Sequence, residues 1–382
     1  MKKTILFLTG TRADYGKLKP LMKVVEHDPL LVCEIFVTGM HTLKKYGYTA
    51  QEPKKDGFKN IFIFMNQHAE EPMEEILSNT ITGLSRYVHE TRPDLLVVHG
   101  DRVEALAGAI VGSINNIPVA HIEGGERSGT IDEHIRHAVS KMSHIHLASN
   151  EEAVSRLVQM GEEATSIYNI GSPDIDIMLD EQSLPSIEEV KAYYDIPFDK
   201  YSILMYHPVT TSLPTLAADA EAVVEAVLAS GKNFLVIYPN NDEGSRQIIS
   251  AYAGFEGCSR VKIYPSIRFE YFLTLMRHSD LVMGNSSAGI REAPVYNIPS
   301  INIGNRQDGR VDDVASIVNA SSDVASLLSA IEQCAKMSLS GAADSGEFGE
   351  GKSAELFKKL LDSDDFWNAK IQKLFVDIGD KC

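Results

Sequence analysis

The sequence predicts an α/β protein made of two Rossmann-like domains. Short aliphatic and β-branched segments, which are typical of buried strands, alternate with segments whose apolar residues recur at helical spacing. This alternation runs along the chain twice, with a less regular stretch between the two series. The length of 382 residues also exceeds that of one ordinary domain. We therefore expect two domains, each with a parallel sheet covered by helices.

The first series supplies an N-terminal domain, predicted to span residues 1–172. Helical periodicity appears between its strands, as in Leu18–Val25, Met73–His89 and Val103–Ile114. The predicted strands are Thr4–Thr9, Cys33–Thr38, Ile61–Phe64, Leu95–His99, Val119–Ile122 and Ile145–Ala148. This order predicts a wound parallel sheet, whose functional loops lie at the carboxyl ends of the strands.

The second series supplies a C-terminal domain, predicted to span residues 173–364. A less regular stretch that begins around residues 171–173 and contains Pro185, Pro197 and Asp199 is interpreted as a linker before its first strand. Helical spacing recurs at Leu216–Leu228 and Phe269–Arg277. The predicted strands are Ile203–Tyr206, Phe234–Tyr238, Val261–Ile263, Leu281–Met283 and Ser300–Ile303. The segment Gly341–Gly351, rich in glycine, serine and acidic residues, is predicted to be a mobile loop.

The composition excludes several classes of protein. With 44% hydrophobic and 23% charged residues the chain falls in the globular class. A net charge of −17 argues against a nucleic-acid or anionic-membrane partner, because both need a broad basic face. No segment approaches the roughly 20 apolar residues of a membrane-spanning helix. The apolar run Ile5–Leu8 is too short for a signal peptide and is interpreted as a strand, so we expect a cytoplasmic protein.

Cofactor fingerprints are also absent from the sequence. No GxGxxG follows a predicted strand and no GxxxxGK[ST] occurs, so nothing indicates NAD, FAD or a P-loop nucleotide site. The cysteines show neither CxxC nor zinc-ligand spacing: they are Cys33, Cys258, Cys334 and Cys382. We therefore expect no metal and no cofactor, and the scattered cysteines suggest a reducing compartment. The cleft between the two domains is the expected position of the site.

Polar residues follow the predicted strands of the first domain. Arg12 and Lys17 come after the first strand and could meet a phosphate at the start of the next helix; an ordinary βα turn with solvated cations is the alternative. Asp101 follows the fourth strand, although an aspartate there also suits a helix N-cap. Glu123 follows the fifth strand beside two glycines that leave space for a ligand. Because these strand ends meet at one edge of a parallel sheet, they are candidate site residues.

Two further charged residues of the first domain stand four positions apart. Asp132 and Arg136 would share a helical face, and an ordinary i,i+4 ion pair is the simpler interpretation of this spacing.

The second domain shows the same placement of polar residues. His207 and Asn240 each follow a strand, although a single histidine is more often structural. Ser286 and Ser287 come just after another strand, where hydroxyls and free amides at a helix start would form a phosphate cradle. A capped helix is the alternative. Arg306 and Arg310, after the strand that follows, could close such an anion site.

Taken together, these segments resemble the UDP-N-acetylglucosamine 2-epimerase family. The resemblance rests on Gly10–Lys17, His99–Arg102, His121–Glu126 and Gly284–Glu292, in this order over most of the chain. It implies the GT-B architecture, with two Rossmann-like domains around a cleft and UDP held mainly by the second. It also implies that a final helix, residues 365–382, crosses back to the first domain and that the chain forms a homodimer or a higher homo-oligomer.

Two of these segments are similar to the hydrolysing branch of the family. The chain has Thr-Arg-Ala-Asp-Tyr at 11–15 and Gly-Asp-Arg at 100–102, whereas non-hydrolysing members typically have Thr-Arg-Pro-Glu and Gly-Asp-Thr. The resemblance therefore implies conversion of UDP-N-acetylglucosamine and water to UDP and N-acetylmannosamine, in sialic-acid-type biosynthesis. UDP-N,N'-diacetylbacillosamine is the alternative substrate. A GT-B glycosyltransferase and a non-catalytic UDP-sugar sensor are the alternative classes.

The resemblance also implies roles for single residues. Asp101, Glu123 and Asp132 resemble the catalytic carboxylates of the family, Arg136 would orient Asp132, and His207 would assist catalysis. The implied UDP contacts are Arg12, Ala13, Lys17, Arg102, His207, Asn240, Ile267, Phe272, Ser286, Ser287, Glu292 and Arg306.

Among these contacts, Ile267 and Phe272 would lie beside the uracil. Glu292 would suit the ribose, because a carboxylate accepts hydrogen bonds from hydroxyls and repels phosphate.

Overall fold

The computed structural model describes residues 2–180, 182, 184–310, 314–337 and 348–377. The chain folds into two compact units. The first comprises the described parts of Met1–Arg127, Asp132–Asp180 and Gly346–Cys382, and the second those of Ser128–Ile131 and Glu181–Ser345. The first unit therefore continues beyond the expected end at residue 172 and includes more of the C-terminal segment than residues 365–382.

The first unit is built on a parallel sheet of seven strands. The strands are β1 (Lys3–Thr9), β2 (Leu31–Val37), β3 (Asn60–Ile63), β4 (Leu95–His99), β5 (Val119–Ile122), β6 (Ile145–Ala148) and β7 (Ile167–Asn169). The helices are α1 (Arg12–His27), α2 (Glu52–Lys55), α3 (Met73–Thr91), α4 (Val103–Ile114), α5 (Thr130–Met142), α6 (Glu151–Gln159) and α7 (Pro173–Leu179), joined by two helices from the C-terminal segment. The strand order is β3-β2-β1-β4-β5-β6-β7.

The second unit repeats this plan with six parallel strands. The strands are β8 (Ser202–Met205), β9 (Phe234–Ile237), β10 (Val261–Tyr264), β11 (Val282–Gly284), β12 (Ser300–Ile303) and β13 (Ile317–Ala320). The helices are α8 (Ile187–Tyr194), α9 (Leu216–Ala229), α10 (Ser245–Ala251), α11 (Phe269–Arg277), α12 (Glu292–Val295) and α13 (Val324–Lys336), and the strand order is β10-β9-β8-β11-β12-β13.

The C-terminal helices of the first unit are α14 (Ser353–Leu361) and α15 (Asp364–Trp367).

Burial explains why these segments form central strands. Ile5, Leu6 and Phe7 of β1 are fully buried, and β8 and all of β4 except His99 are also buried, as expected for strands covered by helices on both faces. In each sheet the strand order reverses beside the first strand of the unit, between β1 and β4 and between β8 and β11. Ligands of open α/β sheets bind beyond the carboxyl ends of the strands at such a reversal.

The predicted strands are all present, and two edge strands were missed. β7 and β13 are short and only partly buried, so neither has the apolar run that identifies a central strand. The expected linker region instead contains α7 and α8.

The C-terminal predictions were less accurate. The expected final helix is limited to α15, because residues 368–377 form neither helix nor strand and residues 378–382 lie outside the described residues. Of the expected loop at 341–351, residues 341–347 also lie outside the described part, and residues 348–351 are irregular. Among the helices that are described, none is long and apolar enough to cross a membrane.

Candidate functional site

The loop between β1 and α1 is held in shape by Asp14. Its carboxylate accepts hydrogen bonds from the Thr9 hydroxyl at 2.7 Å, from Gly10 N at 2.9 Å and from Thr11 N at 2.8 Å. Thr11 in turn accepts from Asp14 N, which completes a capping box at the start of α1. The aspartate of the Thr-Arg-Ala-Asp-Tyr segment therefore fixes the backbone beside the strand reversal.

Arg12, Ala13 and Arg102, the expected UDP contacts of the first unit, lie at the starts of α1 and α4. Ala13 is exposed, and Arg12 Nη2 is 3.4 Å from the Glu52 carboxylate. Arg102 is the N-cap residue of α4, and its Nε lies 3.4 Å from Glu104 Oε2. Both cations are partly exposed and carry a carboxylate neighbour within their own unit.

Glu104 is a buried carboxylate that the sequence analysis did not identify. Its side chain lies against Gly10, where an added Cβ would come within 3.0 Å of the Glu104 Cδ atom. The signal available in the sequence was weak, because a glutamate in the first turn of a helix is ordinary.

The Arg136 guanidinium connects two candidate catalytic loops. Arg136 on α5 has only 1% of its side chain exposed; its Nη2 donates to Asp101 Oδ2, and its Nη1 donates to the Glu123 carbonyl oxygen at 2.6 Å. The guanidinium thus binds Asp101 and the Glu123 backbone, while the expected role of orienting Asp132 stays a prediction. The contact with Asp101 depends on the packing of α5 against the sheet, which the i,i+4 spacing did not indicate.

His121 supports the Asp101 loop from inside the sheet. Its Nε2 lies 2.8 Å from the Gly100 carbonyl oxygen and its Nδ1 lies 3.1 Å from the Ser140 hydroxyl. Burial lowers the pKa of His121 to about 3, so the ring is neutral at pH 7. We therefore assign the proton to Nε2, which donates to Gly100, while Nδ1 accepts from Ser140.

Glu123 is buried in a strained backbone conformation. Its φ is +62°, a region that non-glycine residues seldom occupy, and such strain concentrates at functional sites. Its Oε1 accepts a hydrogen bond from the Ser172 hydroxyl at 2.7 Å, and His99 Nε2 lies 3.4 Å from the same atom. The carboxylate predicted as catalytic is thus fixed among polar groups at the ends of β4 and β5.

Lys17 belongs to this buried cluster. Its ammonium nitrogen lies 2.8 Å from Asp174 Oδ2 and 3.9 Å from Glu123 Oε1, and only 8% of the residue is exposed. Lys17 is the sixth residue of α1 and lies beside two carboxylates, and its contact with a phosphate stays a prediction.

The residues that complete the cluster were missed for different reasons. His99 was part of a motif but was not singled out, whereas Ser172 and Asp174 lay in what resembled a linker. Asp132, the remaining predicted carboxylate, is the third residue of α5 and is partly exposed.

In the second unit, His207 and Asn285 join the loops after β8 and β11. His207 N donates to Asn285 Oδ1 at 2.6 Å, and Asn285 Nδ2 donates to the His207 carbonyl at 2.9 Å. His207 Nδ1 accepts from the Asn240 backbone at 3.1 Å, so in the neutral ring the proton lies on Nε2. Asn285, for which no role was predicted, therefore positions His207.

The segment after β11 differs from the expected helix start. Ser287–Gly289 forms a 3₁₀ turn capped by Ser286, whose hydroxyl accepts from Ala288 N at 3.4 Å, and α12 has only four residues. A long helix with a strong N-terminal dipole is therefore absent from this position, and the expected cradle is reduced to two partly exposed hydroxyls and the amides of a turn.

Arg306 lies beside this turn. Its Nη1 donates to the Asn285 carbonyl at 3.2 Å, and Gln307 Nε2 donates to the same oxygen at 2.8 Å. The side-chain amide of Asn285 also binds the His207 backbone, so this one buried residue connects the loops that carry His207 and Arg306.

The other predicted contacts also belong to the second unit. Ile267 and Phe272 are largely buried before and within α11, and Glu292 is buried at the start of α12. Within the described ranges, no three His, Cys, Asp or Glu side chains are grouped so as to hold a metal ion.

Comparison with known protein families identifies sequence relatives over nearly the whole chain. The family profile described as UDP-N-acetylglucosamine 2-epimerase matches residues 23–362. A UDP-N-acetylglucosamine 2-epimerase from Neisseria meningitidis is 46% identical over 99% of this chain and 100% of that protein.

More distant relatives carry other names. A hydrolysing UDP-N,N'-diacetylbacillosamine 2-epimerase from Legionella pneumophila is 33% identical over 94% of this chain and 96% of that protein. A polysialic acid biosynthesis protein from Escherichia coli is 33% identical over 81% of this chain and 80% of that protein.

Solved structures show the same fold. A UDP-GlcNAc 2-epimerase from Neisseria meningitidis, bound to UDP-GlcNAc, aligns with a TM-score of 0.78 at 18% identity and covers 94% of this chain and 100% of that chain. The UDP-GlcNAc 2-epimerase of Methanocaldococcus jannaschii, in complex with UDP-GlcNAc and UDP, aligns with a TM-score of 0.79 at 22% identity. The alignment covers 95% of this chain and 99% of that chain. The predicted α/β fold class of GT-B type is confirmed by these neighbours and by the two parallel sheets.

Proposed function

Because the chain belongs to the UDP-N-acetylglucosamine 2-epimerase family, we propose that it is a hydrolysing member of that family. It would convert UDP-N-acetylglucosamine and water to UDP and N-acetylmannosamine. The segments at residues 11–15 and 100–102 favour this branch, and the Legionella relative carries the word hydrolysing in its name. The observation that carries the proposal is the Arg136 contact, which fixes the Asp101 carboxylate beside the loop of Glu123.

The first half of the proposed reaction is an elimination. The hydrogen at C2 of the sugar is barely acidic, because C2 carries an acetamido nitrogen and no adjacent carbonyl. When the C1–O bond to UDP breaks and its electron pair leaves with the diphosphate, C1 gains oxocarbenium character. A carboxylate then removes the C2 proton, and the C–H electron pair forms the double bond of 2-acetamidoglucal.

The departing diphosphate needs donors that are already in place. In the second unit these would be His207 Nε2, the hydroxyls of Ser286 and Ser287, and the Arg306 guanidinium. These groups lie at the strand reversal of their sheet, where α/β proteins bind ligands. Arg12 and Arg102 are the corresponding cations of the first unit.

The second half of the proposed reaction is a hydration. Water adds its oxygen to C1 of the glucal, and a carboxylic acid delivers a proton to C2 on the opposite face, which gives the manno configuration. Because the proton leaves C2 on one face of the sugar ring and is delivered on the other, acids or bases are required at more than one position. Asp101, Glu123 and Asp132 supply three carboxylates, with Arg136 as the group that orients the first of them.

The surroundings of the Asp101 and Glu123 carboxylates differ. The Arg136 guanidinium donates directly to the Asp101 carboxylate. Glu123 is buried and its Oε1 accepts from a neutral hydroxyl, with His99 and Lys17 nearby. The two environments differ, as expected for carboxylates with different tasks.

The substrate is tested by product analysis. Enzyme is incubated separately with UDP-N-acetylglucosamine and UDP-N,N'-diacetylbacillosamine, without any acceptor, and free UDP and the sugar are followed by NMR. We expect UDP and N-acetylmannosamine from the first substrate and faster turnover than with the second. Faster turnover of the bacillosamine derivative would reassign the substrate, and binding without UDP release would indicate a sensor. UDP release that requires an added acceptor would indicate a glycosyltransferase.

The cellular context and assembly state are part of the same proposal. A product of N-acetylmannosamine type would place the reaction ahead of an enzyme that condenses this sugar, as in sialic-acid-type biosynthesis. A homodimer is proposed on the resemblance, and sedimentation velocity of the purified chain measures it.

A further inference from the structure

The described C-terminal residues beyond α15 lie along the first unit in an irregular conformation. Val376 N donates to the Gly161 carbonyl at 3.0 Å, and Lys370 Nζ lies 2.8 Å from Glu163 Oε1. Gly161 has a φ of +76°, and an added Cβ would lie 2.4 Å from a ring atom of Phe375. These residues, 368–377, are called the tail below, and they fit closely against the turn after α6.

One residue of this tail reaches the end of α5. The Lys373 ammonium donates to the carbonyl oxygens of Ser140 at 3.0 Å, Lys141 at 2.9 Å and Ser143 at 2.7 Å. The last carbonyls of a helix have no partner within the helix, and a cation there also balances the helix dipole. Lys373 thus serves as a C-terminal cap that comes from a distant part of the chain.

The same ammonium closes a buried ionic cluster. Lys373 Nζ lies 2.5 Å from Glu162 Oε2, and Glu162 is also bound by Lys141 Nζ at 2.7 Å and by His146 Nε2 at 2.9 Å. Burial opposes the ionisation of Glu162, but these donors outweigh it and lower its pKa to about 2. The Glu162 side chain is completely buried, so the tail is held by an anion that needs its partners.

The residues at this end of α5 lead directly to the candidate catalytic groups. Ser140, whose carbonyl Lys373 binds, lies one helical turn after Arg136, and Arg136 holds Asp101. The Ser140 hydroxyl also contacts His121, which binds the Gly100 carbonyl beside Asp101. The contacts through Arg136 and those through His121 both lie within the first unit, and both reach the Asp101 loop.

We propose that Lys373 is a positioning residue for the reaction: by capping α5 it sets the placement of Arg136 and, through it, of the Asp101 carboxylate. This inference rests on the proposed function for its kinetic consequence. Its structural part, the restraint of α5 by the tail, can be measured without turnover.

The test substitutes Lys373→Met in the full chain, which retains the aliphatic stem and removes the donors. We expect kcat for UDP release to fall by about tenfold or more, because small misplacements of catalytic groups are costly. KM for the UDP-sugar and the affinity for UDP should change less than about twofold, since the proposed UDP contacts of the second unit are untouched. Amide exchange in residues 139–143 should become faster.

Lys370→Met is the matched control, because Lys370 is in the same tail but forms an ion pair with the partly exposed Glu163. It should leave kcat and the exchange of α5 unchanged. A Lys373→Met enzyme with wild-type kcat and wild-type exchange would overturn the inference. So would a loss of UDP affinity in parallel with kcat, because that pattern indicates general unfolding.

A second variant separates positioning from the cost of an unpaired buried anion. Lys373→Met combined with Glu162→Gln replaces the buried carboxylate by a neutral amide while α5 remains uncapped. A stable double variant with low kcat supports the inference, and one with restored kcat contradicts it. If wild-type protein releases no UDP from either sugar nucleotide, the proposed function fails, whereas the exchange measurement still decides whether Lys373 restrains α5.

Discussion

Arg136 donates a hydrogen bond to the carboxylate of Asp101, 35 positions earlier in the chain, and this partly buried contact joins α5 to the loop after β4. The same guanidinium donates to the Glu123 carbonyl, so one side chain fixes two of the loops that carry candidate catalytic carboxylates. The planar fork of a guanidinium suits such a double contact, and an ammonium cannot reproduce it.

The substitution Arg136→Lys should therefore keep the positive charge but lose the double hydrogen bond to Asp101 and the Glu123 carbonyl. We expect kcat for UDP release to fall by about 10²-fold or more, because Asp101 and the Glu123 loop lose their common donor. UDP affinity, measured by calorimetry, should remain within about twofold, since the proposed UDP contacts of the second unit are unchanged. Arg92→Lys, at an exposed site, is the control. Wild-type kcat in Arg136→Lys would show that the contact has no catalytic role.

The three carboxylates should serve separable halves of the reaction. A carboxamide retains the shape but transfers no proton, so Asp101→Asn, Glu123→Gln and Asp132→Asn should each lower kcat by about 10²-fold or more. At least one of them should accumulate 2-acetamidoglucal together with UDP, detected by NMR. Glu133→Gln, next to Asp132 on α5, is the matched control. Full activity in all three variants would move the active site elsewhere.

The hydroxyls after β11 should contribute to UDP affinity. Ser286→Ala combined with Ser287→Ala should weaken UDP binding by about 1–3 kcal/mol, the usual cost of losing hydrogen bonds to a charged phosphate. Ser250→Ala with Ser321→Ala, at exposed positions of the same unit, provides the comparison. Equal UDP affinities for both double variants, measured by calorimetry, would exclude these hydroxyls as phosphate ligands.

Two buried histidines should make the fold sensitive to mild acid. Burial lowers the pKa of His41 to about 4 and that of His121 to about 3, so the unfolded chain binds more protons below pH 6.5. Their stabilising contribution is complete above pH 6.5 and is lost as the pH falls towards these values. When the pH is lowered from 7.5 to 5.5, each of these histidines should lower the free energy of unfolding by about 1.4 kcal/mol.

Urea unfolding at these two pH values measures the loss. His121→Asn should reduce the pH dependence, whereas His89→Asn, at an exposed position, should retain it. Equal stability of the wild type at both pH values would contradict the assignment of neutral buried rings.

The sequence predicts the central strands and the positions of most site residues, because both depend on local pattern. A buried strand such as β4 has a continuous apolar run, and a polar residue at its end necessarily lies at the functional edge of a parallel sheet. The same reasoning predicts that Asp101 and Glu123 follow the ends of β4 and β5, where the structure has them. Short edge strands such as β7 have no such run and were missed.

The partners of the site residues could not be predicted in this way. Lys17 pairs with Asp174 and Glu123 with Ser172, contacts that join α1 and the loop after β5 to the segment after β7. Lys373 reaches Ser140 from 233 positions away. Such pairs depend on how helices pack against the sheet, and neither hydrophobic period nor motif spacing encodes that packing.

The central claim is tested most directly by running the reaction in D2O with UDP-N-acetylglucosamine and recording the NMR spectrum of the sugar. Elimination and hydration remove the C2 proton and replace it from solvent, so we expect free N-acetylmannosamine that carries deuterium at C2, together with one equivalent of UDP. Formation of UDP-N-acetylmannosamine with the sugar–phosphate bond intact would contradict hydrolysis. Free N-acetylmannosamine without deuterium at C2 would contradict the elimination mechanism.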